Sequence, residues 1–549
     1  MKRLKKIAQK RIIDPALNAR IQRALVANDI PEAARLAEQA LVRGAADPML
    51  LNLAAWRREE AGDYLRAHEL LSRALAISPG DALIMGAIGA VFRKQSLFDK
   101  ALAMLDQAIA IQPSHAATWL ERGYTLDGLR LTQQAKHSYE RALSLDGRLA
   151  PAWAKLADVA AKDGDVARGM SLAERALALD PHEPTAQCAL ATMEIEARDG
   201  QAAETRLNAL LDRAVPEEVR VRALTLLGDA LDRQDRTVEA FASYNRAQAN
   251  FRIVHSKNLA PRADRPSHRT FIENIAAQVR SASAMPTPPV GAMEIEGAAA
   301  IHVFLLGYPR SGTTLLENVL ASAPGVAALE ERETLADTDE ILVRNDGSMP
   351  ALDAIAPDLL QRLRTSYWRR VRTMAGDVSN KTFVDMNPFN GIKLPVIARL
   401  FPQARILIMR RDPRDVILSC YRINFTPSTA AWAFSELEEA ARHYDALMQL
   451  TELCRERLPL AFHDVRYDRL VTDFETTVRE TAAFIGIEWT EAFHAFNRTA
   501  QTRGVRTASA TQVRRGLYDG RGQWRRYADQ LAPILPILAP WVERLGFDQ

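Results

Sequence analysis

Two rhythms of apolar and polar positions divide the chain. In the first half, small residues return every 34 positions: Ala33, Ala67, Ala101 and Ala135 form one column, and Ala40, Ala74, Ala108, Ala142 and Ala176 form another seven residues on. A third column of small residues, Ala55, Gly89, Gly123 and Ala157, is preceded at four residues by the large side chains Leu51, Met85, Trp119 and Trp153. Pro79, Pro113, Gly147 and Pro181 close the units. Alanine is common in this half, but concordant columns of large, small and helix-stopping residues in a fixed order are not an effect of composition. Each unit predicts a pair of helices whose small residues permit close approach and whose last residue ends the second helix. The register continues through Ala189, Ala202 and Ala209, then Gly228, Ala240 and Ala247, giving about seven units over residues 14–250.

This pattern resembles the tetratricopeptide repeat. The resemblance implies an α-solenoid with a continuous core between neighbouring helix pairs and a concave face that takes a protein or peptide. An array that only stabilises or dimerises the chain fits the same columns, and no column names a ligand.

Residues 251–299 lose the period and read as a connection. Thr270 to Arg280 has helical spacing, and Ser283 to Gly291, with three prolines, reads as an exposed turn or linker. Beyond it, over residues 300–549, the pattern changes to short apolar runs. Ile301–Leu306, Lys381–Val384 and Ala404–Met409 predict buried strands, and Ile392–Leu400 a crossover helix. That alternation predicts an α/β domain with a central parallel sheet and a ligand at the carboxyl ends of its strands.

The first strand runs into Gly307-Tyr308-Pro309-Arg310-Ser311-Gly312-Thr313-Thr314 and then into an apolar-periodic segment. A glycine-bounded turn ahead of a helix offers inward backbone N–H groups and a favourable dipole, so the turn is expected to bind phosphate. It resembles a nucleoside triphosphatase loop, except that Thr313 stands where a lysine would reach the β- and γ-phosphates. Arg310 can still hold a shorter anion with its forked guanidinium. Tyr-Pro-Arg-Ser-Gly-Thr-Thr looks like the 5′-phosphosulfate loop of sulfotransferases that use 3′-phosphoadenosine 5′-phosphosulfate (PAPS). That resemblance assigns the donor's 5′ end to Arg310, Ser311, Gly312, Thr313 and Thr314.

The same family resemblance extends over residues 300–549. Arg411 and Ser419, eight residues apart, match the pair that holds the donor's 3′-phosphate, and two helical turns can bring Ser419 back towards the loop. A late basic stretch carries seven arginines against one aspartate from Arg503 to Arg526. It resembles the segment that closes over the nucleotide, with Arg514 and Arg515 as further 3′-phosphate ligands. Tyr467 matches a tyrosine that contacts the adenine. The layout is similar to that of tyrosylprotein sulfotransferases, in which the second glutamate of a pair after the loop is the general base; here that is Glu331, beside Glu330, with Glu333 as a rival. A carboxylate suits the role because it takes a proton from a hydroxyl as that oxygen attacks sulfur. One departure stands out: Asp385-Met386-Asn387-Pro388 has methionine where the family often has a lysine near the bridging oxygen. Either Arg310 and the loop amides act alone, or Lys381 or Lys393 reaches in, or turnover is weak.

Composition narrows the function without naming it. Hydrophobic and charged fractions of 48% and 25% are those of a globular chain, and a net charge of +3 over 549 residues argues against nucleic acid as a partner. Cys188, Cys420 and Cys454 are too dispersed for a disulfide framework or a metal cluster. The basic start lacks a following apolar stretch, and no segment has the roughly 18 apolar residues of a membrane span, so a cytoplasmic location is expected. The expected activity is metal-free sulfuryl transfer from PAPS to a hydroxyl of a peptide, protein or saccharide. The alternatives are a P-loop kinase or nucleotide hydrolase, and a repeat scaffold whose transferase half binds nucleotide but turns over weakly.

Overall fold

In the computed structural model of the chain, which describes residues 14–282, 295–503, 513 and 516–548, the 34-residue rhythm is a row of helix pairs. Fourteen helices, α1 (Pro15–Val26) through α14 (Thr237–Leu259), make seven successive pairs. Six of the pairs turn on a residue in the same column, Asn28, Gly62, Ser96, Arg130, Gly164 and Arg198, each left-handed with φ between 55° and 77°. Where the next residue is aspartate, it caps the following helix. Asp29, Asp63, Asp165 and Asp199 accept from amides three residues on at 3.0 to 3.2 Å, each bond worth about 1 kcal/mol of helix stability.

The sequence columns have steric causes. A Cβ on Gly123 would lie 2.3 Å from Tyr139 Cε1, so that column must be small for the facing helix to seat its ring. Large residues at the head of the units close them: Trp119 Nε1 donates to the Pro113 carbonyl at 2.9 Å, and Trp153 Nε1 to the Gly147 carbonyl at 3.0 Å.

Contacts divide the chain into two units, one of residues up to 161 with 165–190, the other of 162–164 with 191–549. The seventh helix pair, α13 (Glu217–Asp232) and α14, therefore shares a unit with the sheet. Within that unit α15 (His268–Ser281) packs along α22 (Leu437–Arg457) through an Arg269–Glu439 ion pair at 3.0 Å. The expected turn at 283–291 lies outside the described residues.

Five parallel strands make the sheet: β1 (Ile301–Gly307), β2 (Val326–Glu330), β3 (Thr382–Met386), β4 (Arg405–Arg410) and β5 (Ala461–Arg466), in the order β2-β3-β1-β4-β5. The three strands read from the sequence are β1, β3 and β4, each displaced by a residue or two. The segment read as one crossover helix is a 3-10 turn, Pro388–Lys393, followed by α19 (Leu394–Leu400), because Pro395 sits at the helix start. Fully buried Val303, Leu305, Val384 and Leu407 on the strands meet Leu316 and Val319 of α16 (Thr313–Ala321), each side chain contributing roughly 1.5–3 kcal/mol. β1 lies between β3 and β4, where the connections diverge to opposite sides; its carboxyl end is the crevice such sheets offer to ligands. Among the described residues no helix is long and apolar enough to cross a membrane.

Candidate active site

The turn after β1 is held open from several sides. Arg310 is left-handed, φ 71°, a conformation that costs a non-glycine residue about 1 kcal/mol, and Gly312 follows at φ 107°. A Cβ on Gly312 would come within 2.7 Å of Tyr467 Cδ2, so the turn and the tyrosine close on each other only without a side chain there. Thr313 and Thr314 are the first two residues of α16, both nearly buried.

Two more elements converge on this turn. α20 (Pro413–Tyr421), which follows β4, brings Ser419, whose Oγ accepts from Arg310 Nε at 3.0 Å. Arg411, at the end of β4, donates to the Arg310 carbonyl at 2.9 Å and to the Gly520 carbonyl at 2.6 Å, and its guanidinium stacks 4.7 Å from the Tyr467 ring centre. Tyr467 donates to the Tyr518 carbonyl at 2.5 Å. The strip after Gly520 is clamped to α20 by Asp415, which accepts from the amides of Gly522 and Trp524, each at 2.8 Å. Arg310, Ser311, Gly312, Thr313, Thr314, Arg411, Ser419 and Tyr467 thus form one contiguous site. Arg514 and Arg515 lie outside the described residues.

Two guanidinium groups, those of Arg310 and Arg411, meet at the turn. Burial first, and the neighbouring Arg411 second, bring the Arg310 pKa down to about 10, against the opposing pull of Cys420, Glu331 and Tyr467. A guanidinium in that position is still charged at neutral pH, and an anion beside it relieves both burial and repulsion. Among the described residues, Ser311 Oγ and Arg411 Nε are buried without a hydrogen-bond partner. Two orphaned donors beside a glycine-only turn fit the oxygens of a phosphorylated donor such as PAPS.

Glu331 sits at the carboxyl end of β2, not at a helix start, since α17 (Ala336–Leu342) begins five residues later. It is left-handed, φ 45°, and its amide donates to the Met386 carbonyl at 2.7 Å. Glu330 is buried within the strand, whereas the Glu333 side chain is 70% exposed. Thr334 ties the far side of this segment to buried Asp385, at 2.6 Å; Tyr367 donates to the same carboxylate at 2.7 Å, and burial raises that carboxyl to about 6 against those two hydrogen bonds.

The lysine alternatives separate. Lys381 precedes β3 and is exposed at the edge of the sheet opposite the turn, so it does not reach in. Lys393 lies beyond the other end, 2.6 Å from Asp339 and 3.9 Å from Glu333, on the side of the Glu331 segment. Met386 is fully buried in the core.

Sequence reasoning missed a support beneath the loop. Tyr308 is buried, and its hydroxyl meets His443 Nδ1 at 2.8 Å, while His443 Nε2 meets His268 Nδ1 of α15 at 2.7 Å. Burial lowers both histidines, His268 to about 4, so the chain is neutral and fixes the loop without adding charge. The signal was two isolated histidines 175 residues apart, which no local pattern connects.

Residues 302–491 match the model of a sulfotransferase family, and residues 59–121, 120–184 and 188–252 match tetratricopeptide-repeat models. The chain carries a sulfotransferase-family domain behind tetratricopeptide repeats. It is 25% identical over 437 residues to an uncharacterized protein of Aquifex aeolicus, covering 78% of this chain and 54% of that one. It is 24% identical over 259 residues to protein-tyrosine sulfotransferase 1 of Danio rerio, covering 45% and 72%, and 26% identical over 230 residues to the nodulation protein NoeE of Sinorhizobium fredii, covering 38% and 54%. The chain spans about half the length of the Aquifex and Sinorhizobium relatives. The match to the sulfotransferase family covers β1, the loop, Glu331, Arg411, Ser419 and Tyr467, and ends ahead of the strip from Gly520 to Tyr527.

Proposed function

We propose that the sulfotransferase domain moves the sulfuryl group of PAPS to a hydroxyl of a peptide, protein or saccharide acceptor. The observation that carries this reading is the meeting of Arg310, Arg411 and Ser419 around a glycine turn with two orphaned donors. When bound, the donor supplies the sulfuryl group and leaves as adenosine 3′,5′-bisphosphate. Arg310 and the amides of Ser311 to Thr314 hold its 5′ end and stabilise charge on the departing phosphate; Arg411 and Ser419 hold the 3′-phosphate. Tyr467 packs the adenine. Glu331 takes the proton of the acceptor hydroxyl.

Such transfer needs alignment and electrostatic support more than covalent help, which is what a rigid loop between a strand and a helix provides. Lys393 is taken up by Asp339 at 2.6 Å, so Arg310 and the loop amides are left to offset the charge of the leaving phosphate in place of the lysine that Met386 replaces. The name of the Danio rerio relative, a protein-tyrosine sulfotransferase, favours a tyrosine-bearing acceptor, and the repeats would recruit it. Cys188, Cys420 and Cys454 are buried and form no disulfide, in keeping with a reducing, cytoplasmic setting.

Incubating the purified chain with PAPS carrying labelled sulfate and an extract of its source cells tests the reading. Label is expected on a small number of acceptors, and their chemistry identifies the class. PAPS left intact, with no labelled product over many turnovers' worth of time, contradicts the proposal.

A further inference from the structure

α20 carries Ser419 on one turn, and the last repeat holds its carboxyl end. Gln248 of α14 donates to the Tyr421 carbonyl at 2.6 Å, and the Tyr421 hydroxyl donates to Asn245 at 2.8 Å. Phe241 stacks on the Tyr421 ring, centroids 5.6 Å apart. Thr225 of α13 bonds Asn424 at 2.9 Å. The next contact, Arg422 to Asp232, is an ion pair at 2.9 Å, with Asp229 at 3.8 Å and the guanidinium 5.2 Å from the Tyr244 ring.

Asp232 also receives the strip that follows Gly520. Tyr527 donates to its Oδ1 at 2.5 Å, and Arg526 pairs with the same oxygen at 2.8 Å and with Asp235 at 2.8 Å. Burial pushes the Asp232 carboxyl up, but Arg422, Tyr527 and Arg526 together hold it below its usual range, so it carries charge. Asp229 is raised by burial, and Asp232, at 2.9 Å against 3.8 Å, is the nearer counter-charge of Arg422.

One carboxylate of a repeat thus grips both elements around the donor site: the helix bearing Ser419, and the strip whose Gly520 carbonyl receives Arg411. Asp415, in the first turn of α20, joins those two elements at Gly522 and Trp524, and Asp232 joins them at their carboxyl ends. We infer that the last repeat, α13–α14, is a positioning part of the donor site, with Asp232 setting the register of α20 against the strip from Gly520 to Tyr527. The inference rests on the reading of this site as a nucleotide-donor site. Asp232 acts through Arg422 and Tyr527 and is a positioning residue. The repeat is thereby tied to nucleotide affinity and not only to an acceptor.

The test uses the full chain and the double variant Tyr527→Phe, Arg526→Ala, which releases the strip from Asp232 but leaves the buried Arg422–Asp232 pair intact. Asp232→Asn is the companion variant. Calorimetry with adenosine 3′,5′-bisphosphate is expected to show a Kd roughly tenfold higher than wild type, equivalent to about 1.4 kcal/mol. Amide hydrogen exchange is expected to quicken at Gly522 and Trp524 and to stay unchanged in β1. A double variant that binds like wild type overturns the inference, as does weakened binding without that local exchange signature. A wild-type chain that ignores the nucleotide overturns the donor reading itself, and this inference with it.

Discussion

Replacing Arg310 by alanine is expected to lower the rate of sulfuryl transfer by roughly 10²–10³-fold, the loss seen when one aimed charge-stabilising donor is removed from a closed site. The side chain is buried, bonded to Ser419 and repelled by Arg411, so its charge is held in place before the donor arrives. Preorganisation of that kind acts on the charge that develops as the bridging oxygen departs, and the effect should therefore fall mainly on kcat. Arg310→Lys should recover little, because a point charge on a flexible stem cannot keep the Nε bond to Ser419 while facing the phosphosulfate. Steady-state kinetics with PAPS, alongside calorimetry with adenosine 3′,5′-bisphosphate, separates the two contributions. A variant with near-wild-type kcat would remove Arg310 from the mechanism.

Glu331→Gln should cost roughly 10²–10⁴-fold in kcat, the range of a general base, with donor affinity almost unchanged. The glutamine keeps the shape of the side chain, and the Glu331 amide still bonds the Met386 carbonyl, so the left-handed turn persists. Glu333→Gln serves as its comparison: that side chain is largely exposed and lies against Lys393, and a loss of a fewfold is expected. If the two variants exchanged their effects, the base would be Glu333 and the segment would have to rearrange on binding.

The sequence made the loop readable because its chemistry is contiguous: strand, turn and helix start fall within sixteen residues, and the absent lysine at Thr313 is visible without a structure. Arg411 and Ser419 were readable for a similar reason, being only eight residues apart, from the end of β4 into α20. Asp232 was not, since it lies 190 residues from Arg422 and 295 from Tyr527 and looks like one more polar residue on a repeat helix. Periodicity records how a helix packs on its neighbours, so the columns run on through Ala247 without showing that α13 and α14 also pack on the sheet's unit. β2 and β5 escaped notice because Val326-Ala-Ala-Leu-Glu is short and weakly β-forming, and Ala461–Arg466 is an edge strand with one fully buried residue.

On the proposed function, the turn after β1 takes a sulfated adenosine and not a nucleoside triphosphate. Calorimetry of the wild-type chain with adenosine 3′,5′-bisphosphate, and separately with ATP and Mg²⁺, addresses it most directly. Tight binding of the bisphosphate, abolished in Arg310→Ala and weakened in Arg411→Ala, with ATP and Mg²⁺ bound at least a hundredfold more weakly, a gap of about 2.7 kcal/mol, is the predicted result. Preference for ATP with Mg²⁺, or indifference to the 3′-phosphate, would contradict it.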